Sequence, residues 1–239
     1  MPSDRETRII VLHLTKYGDH SLVVQALDCE KGRTGFFLRG AGKGRGGLNH
    51  FHSLGILDIV ASSHKGSLEH IREYENPYRL DALRTDPYKS AIALFIGELL
   101  YRSLLDGAMD TELFSFLQQQ IVALNNAEGS VANFHICFLT DFCRELGFQP
   151  KDNYSSDKTL FMPVTAEFTA PGALADTFSA ANSLLLHQIL SLPREEAMAI
   201  PLSGNQRGDF AQKMIEYLSY HLSQNLNIRS LDVLHDLFS

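Results

Sequence analysis

Residues 31–52 read KGRTGFFLRGAGKGRGGLNHFH and carry five basic side chains and no acidic one. Cations at this density, interleaved with phenylalanine and glycine, suit the holding of a polyanion whose bases can stack. Side chains two apart on a strand share a face, so Arg33, Gly35, Phe37 and Arg39 lie together, with Lys31 at the same parity. Thr34, Phe36 and Leu38 take the other face. The first face alternates cation and aromatic, as single-strand binders do: charged groups track phosphates while a ring stacks a base. The candidate DNA-binding residues are therefore Lys31, Arg33, Phe37 and Arg39 on the strand, and Lys43 and Arg45 in the loop after it. Glycines at 40, 42, 44, 46 and 47 would let that loop approach a strand closely. The bland alternative buries Phe37 beneath a helical neighbour and leaves the arginines solvated.

Other groupings ask for no chemistry. Residues 42–47 (GKGRGG) match the glycine pattern of a dinucleotide site, but a β-like segment with a glycine at 55 follows where such a site needs a long helix. His50 and His52 are expected to share a strand face, with His64 and His70 near in sequence, yet nothing specifies convergent metal ligands. On a DNA-binding face they would serve as extra donors. The three cysteines, Cys29, Cys137 and Cys143, form no C-x-x-C pair. Cys137 and Cys143 read as buried core thiols, and Cys29 sits between Asp28 and Glu30, which disfavours its thiolate. No nucleophile elbow or zinc-protease motif occurs. The expectation is a protein with no catalytic site, no metal and no cofactor.

The elements that must position the basic face come in two kinds. Segments 8–14 (RIIVLHL), 21–28, 34–39, 55–60 and 67–74 read as short strands, the first two joined by the turn residues Tyr17-Gly18-Asp19-His20. Five strands in such a span match the size of an OB-fold barrel. After Leu80 the period turns helical. Asp86-Pro87 is a helix start, followed by an apolar helix over 88–105. Further helices are expected from Asp110 to about 124, from Ser130 to a closing Gly147, and over 178–192, 210–224 and 231–238. Residues 150–178, with Pro150, Pro163, Pro171 and Gly172, read as an irregular insert. The predicted fold class is α+β, all-β then all-α: an OB-fold DNA-binding domain over 1–80 and an α-helical domain over 81–239.

The charge agrees with that division. The chain of 239 residues has net charge -7, but residues 1–80 hold 11 Lys/Arg against 9 Asp/Glu, and the rest holds 10 against 19. A local positive patch therefore survives in an acidic protein. No apolar run is long enough to span a membrane. The charged start MPSDRETRII predicts no export, and the cysteine usage suits a reducing cytoplasm.

The run T-R-I-I-V-L-H-L-T-K-Y-G-D-H-S-L-V-V, then Gly32 and RGAGKG at 39–44, resembles the start of RecO, the bacterial recombination mediator family. GELLYRSLLD (97–106), Glu112-Leu113-Phe114, Leu124, LGFQP (146–150) and RSLDVLHDLF (229–238) resemble its helical half, in the family's order from end to end. The resemblance implies an OB-fold, a helical domain, and binding to single- and double-stranded DNA. It also implies strand annealing, pairing with RecR, contact with the C-terminal tail of single-strand binding protein, and help in loading RecA, in the cytoplasm at the nucleoid. One departure is clear. Many members carry four zinc-binding cysteines after L-G-[FY]-x-P, and residues 151–178 contain none, so no zinc finger is expected. Arg39 also stands where the family often has lysine, and Lys43 and Arg45 are spread among more glycines. Two rivals remain at this point: an OB-fold adaptor that binds a partner protein and no DNA, and a nucleotide-dependent enzyme using 42–47.

Overall fold

Strands rich in Ile, Val and Leu with an apolar side every second residue must close on themselves to bury that side. Here they do. In the structure, a computed structural model, residues 4–18, 21–39, 50–62, 68–172 and 176–238 are described. Strands β1 (Asp4–Tyr17), β2 (Ser21–Asp28), β3 (Gly32–Arg39), β4 (Ile56–Ser62) and β5 (Glu69–Glu75) form a closed barrel in the order β1-β2-β3-β5-β4. The long β1 closes it. Its first half pairs with β4 from Asp4↔Ser62 to Ile10↔Ile56, and its second half pairs with β2 from Ile9↔Asp28 to Tyr17↔Ser21. A bulge between Val11 and His13 bends the strand from one neighbour toward the other. The remaining seam is the parallel pairing of β3 with β5, Phe36↔Glu69 to Leu38↔Ile71. Val24, Ala26, Phe36, Leu57 and Ala61 fill the interior and are fully buried.

Three helices belong to the same compact unit, Met1–Asn126: α1 (Ala82–Thr85), α2 (Pro87–Ser103) and α3 (Thr111–Asn126). The change from strand to helix period near residue 81 and the division of the chain by packing are thus different boundaries. Asp86 caps α2, its carboxylate accepting from the N–H groups of Tyr88 and Lys89 at 2.9 and 3.1 Å. Helix α2 is buried on most sides because it seats against the barrel at Gly97. A Cβ there would stand 2.5 Å from Ser53 Oγ and 3.3 Å from the Leu12 carbonyl. The Ser53 hydroxyl donates to the Ala93 carbonyl at 3.0 Å at this contact. His50 and His52 lie in the turn before β4, not on a strand, so they share no strand face.

The second unit, Ala127–Ser239, contains α4 (Phe134–Glu145), a hairpin of β6 (Leu160–Met162) and β7 (Glu167–Thr169), and α5 (Ala180–Ser191), α6 (Arg194–Met198), α7 (Gly204–His221) and α8 (Ser230–Phe238). Helix α4 begins at Phe134, not Ser130: residues 131–133 turn instead, with the Phe134 N–H on the Val131 carbonyl at 2.9 Å. Phe138 and Phe142 stack at 5.6 Å along α4, α7 packs against α4, and Phe210, Met214 and Leu218 of α7 are buried. Cys137 and Cys143 are buried core thiols, and burial pushes them up to about 11 and about 12. The stretch expected to be irregular holds the β6–β7 hairpin. Asn153 pins it, accepting from the Phe168 N–H at 2.7 Å and donating to the Phe168 carbonyl at 3.1 Å. No helix among the described residues is long and apolar enough to cross a membrane.

Candidate nucleic-acid interface

Strand β3 splits as alternation requires. Phe36 and Leu38 point into the barrel, while Arg33, Gly35, Phe37 and Arg39 line its outer surface. The four outward positions have different surroundings. Arg33 is held at the start of the strand: its Nη1 donates to the Tyr101 carbonyl at 2.7 Å, its Nε meets Asp106 at 3.1 Å, and its guanidinium lies 4.9 Å from the centre of the Tyr101 ring. Lys31, before the strand, pairs with Glu69 at 2.5 Å. Glu69 in turn takes Arg5 at 2.8 Å, and Arg5 also binds Asp28 at 2.5 Å. Burial opposes ionisation of Asp28, but the Arg5 guanidinium and the N–H groups of Glu30 and Lys31 outweigh it and hold the carboxyl below its usual range. Lys31 therefore belongs to a charge network that ties β1, β2 and β5 together.

The far end of β3 is different. Arg39 is exposed and makes no ion pair among the described residues. The register sets it in a row Tyr17–Ser21–Arg39 across β1, β2 and β3. One step inward runs the row Thr15–Val23–Phe37–His70 across β1, β2, β3 and β5. The Phe37 ring meets Tyr17 edge-on at 5.6 Å and 81° and His70 at 5.2 Å and 60°. Leu68 closes the next step, lying over Gly35, where a Cβ would come 2.9 Å from its Cδ2. The result is a cleft of about 380 Å³ lined by Tyr17, Val23, Phe37, Arg39, Leu68 and His70. Its described walls are apolar or aromatic apart from the Arg39 guanidinium, the one full charge among the described lining residues.

The barrel bears opposite chemistry elsewhere. Over β1, β4, β5 and α3 a broader concavity of about 740 Å³ presents Glu6, Asp58, Glu73 and Glu75. Arg8 lies among them, already bonded to Asp58 at 2.6 Å. Its acidic side chains disfavour a polyanion, whereas the described lining of the Arg39 cleft presents a cation. Among the described residues no three His, Cys, Asp or Glu side chains gather as metal ligands. Lys43, Arg45 and the whole 42–47 motif lie outside the described residues, as does His64. Sequence reasoning passed over Tyr17 and Leu68. Tyr17 stood in a turn motif and Leu68 in a separate strand, and only the register brings both to Phe37.

A five-stranded closed barrel followed by a helical half defines the class: an OB-fold protein joined to a helical domain. The family profile described as "Recombination protein O C terminal" matches residues 84–230. The DNA repair protein RecO of Phocaeicola vulgatus is 31% identical over 96% of this chain and 97% of its own length. That of Bacteroides fragilis is 31% identical over 96% and 97%, and that of Flavobacterium psychrophilum 28% over 98% and 99%. The chain belongs to the RecO family of DNA repair proteins.

Proposed function

We propose that the protein is a recombination mediator that binds single- and double-stranded DNA on its barrel, anneals strands and helps to load RecA, without catalysis and without a cofactor. The observation that carries the reading is the exposed guanidinium of Arg39, without an ion pair among the described residues, beside the Phe37 ring at the strand end that leads in sequence to the 43–45 cations. Arg39, Lys43 and Arg45 neutralise phosphates directly. Lys31 and Arg33 contribute by trading Glu69 and Asp106 for phosphate oxygens, which lowers their share of the affinity. RecR and the C-terminal tail of single-strand binding protein are the protein partners, and the acidic helical half offers contacts to proteins in place of DNA. The protein works in the cytoplasm, at the nucleoid.

The test is the slope of log affinity against log salt. Each phosphate contact contributes about 0.9 to that slope on duplex DNA and about 0.7 on single strands. Arg39→Ala combined with Lys43→Ala should flatten it by roughly two contacts. A slope that does not move removes these residues from the interface.

A further inference from the structure

We infer that the cleft between Tyr17, Phe37 and Leu68 takes one unpaired nucleobase, so that this part of the barrel selects single-stranded over double-stranded DNA. The inference rests on the DNA-binding reading and adds a discrimination to it.

Solvation is the first ground. Tyr17 is 65% exposed and Leu68 42% exposed, and both stand against the Phe37 ring or beside it. The patch is small, but exposed apolar side chains gathered in one concavity with a cation at its rim let a flat ligand shed water there. Shape is the second. Tyr17 and Phe37 stand at 81° to each other, so a flat group that stacks on one ring abuts the other with its edge. Charge is the third. Arg39 lies two residues from Phe37 on the same face, a step of about 7 Å along the strand. The fitting ligand is therefore planar and apolar, with an anion attached a short way off. Among the described residues that line the cleft there is no carboxylate to repel it.

A nucleotide out of its stack has that chemistry. A base pair does not, because in a duplex the base faces are covered and only edges and phosphates are offered. The cleft and a complementary strand thus compete for the same base. Arg39 meets a phosphate in either form, whereas Tyr17 and Leu68 act only on the unpaired one. An acidic peptide bearing an aromatic side chain is the other ligand with a ring and an anion, and it enters the test as the rival occupant.

The experiment uses the full chain and three fluorescent probes at one salt concentration: a thymidine oligonucleotide, the same backbone without bases, and a duplex. Tyr17→Ala is the variant, and its exposure at a strand end leaves the barrel intact. Leu68→Ala serves as a second variant on the opposite wall. Each should weaken the thymidine strand about tenfold, the size expected for one stacked base. Affinity for the abasic strand and for the duplex should stay within about twofold, and Tyr17→Phe should restore the thymidine strand. Equal weakening on all three probes overturns the inference, because Tyr17 would then act without regard to bases. No weakening on any probe, while Arg39→Ala weakens all, overturns it too and leaves DNA binding standing. Tyr17-dependent capture of an acidic aromatic peptide, with thymidine binding unmoved, assigns the cleft to the rival. If the unsubstituted chain binds none of the three probes, the DNA-binding reading itself fails, a result distinct from the others.

Discussion

The Leu68 side chain occupies the space that a side chain at Gly35 would fill, its Cδ2 only 2.9 Å from where a Cβ would stand. Gly35 sits between Arg33 and Phe37 on the outer face of β3, so one missing side chain makes room for the Leu68 wall of the cleft. Strands β3 and β5 pair in parallel here, and Leu68 immediately precedes β5.

Gly35→Ala should therefore act on the cleft more than on the fold. The backbone at Gly35 is not in the left-handed region, and the clash is with the far end of a flexible side chain. Alanine also lowers the entropy of the unfolded chain, worth about 0.4–1 kcal/mol in its favour. Stability should stay within about 1 kcal/mol of the parent, while affinity for single strands falls as Leu68 is displaced. Thermal melts and strand titrations of the same sample check both halves. A large drop in melting temperature would show that Gly35 matters for the barrel itself.

The Arg5–Asp28 pair makes the opposite prediction. Asp28 is fully buried, holds Thr7 Oγ1 at 3.1 Å through its other oxygen, and accepts from the Glu30 and Lys31 N–H groups. Asp28→Asn leaves Arg5 without its deepest partner and should cost about 3 kcal/mol. The pH dependence follows from the lowered folded-state pKa of Asp28. Its stabilisation is complete above the unfolded value near 4 and is lost as pH falls through the lower folded value. The gap between parent and Asp28→Asn in urea melts should thus be widest near neutrality and narrow below pH about 4. A gap that stays constant into acid would mean that the carboxylate charge is not what stabilises the site.

How much of this was legible beforehand depended on the range of each interaction. Strand parity placed Phe37 outward and Phe36 inward from residues one position apart, and Asp86-Pro87 announced α2 from two residues. Both are local rules. The partners of the basic residues were not local: Lys31 meets Glu69 through the barrel's closure, and Arg33 meets Asp106 in the segment between α2 and α3. A composition window sees five cations in residues 31–52 and cannot see two of them neutralised from elsewhere in the chain. Tyr17 was hidden for the same reason, because its relation to Arg39 runs through Ser21 on a third strand. The β6–β7 hairpin escaped because three-residue strands are too short to show alternation, and prolines at 150, 163 and 171 argue for loop. The 131–133 turn escaped because Ser130 is a good cap in the wrong place.

That hairpin carries the last prediction. In this chain no cysteine stands between 151 and 178 to hold a metal, and aromatic rings occupy the segment instead. Phe161 is fully buried and meets Phe168 at 5.3 Å, Phe178 at 5.1 Å and Tyr217 at 5.6 Å. Its backbone is fastened as well, the Phe161 N–H on Ser183 Oγ at 2.9 Å and the Phe178 N–H on the Phe161 carbonyl at 2.8 Å. Burial of rings and fixed hydrogen bonds do here what metal–thiolate bonds do in a zinc site. Phe161→Ala should then cost about 3–5 kcal/mol, since it leaves a ring-sized void that three other rings cannot close. A metal chelator, by contrast, should leave the melting temperature of the parent unchanged, because no metal-ligand set occurs among the described residues. Melts with and without chelator, run beside Phe161→Ala, separate the two supports. A chelator-induced drop in the parent would show a metal contribution and refute the aromatic account of this segment.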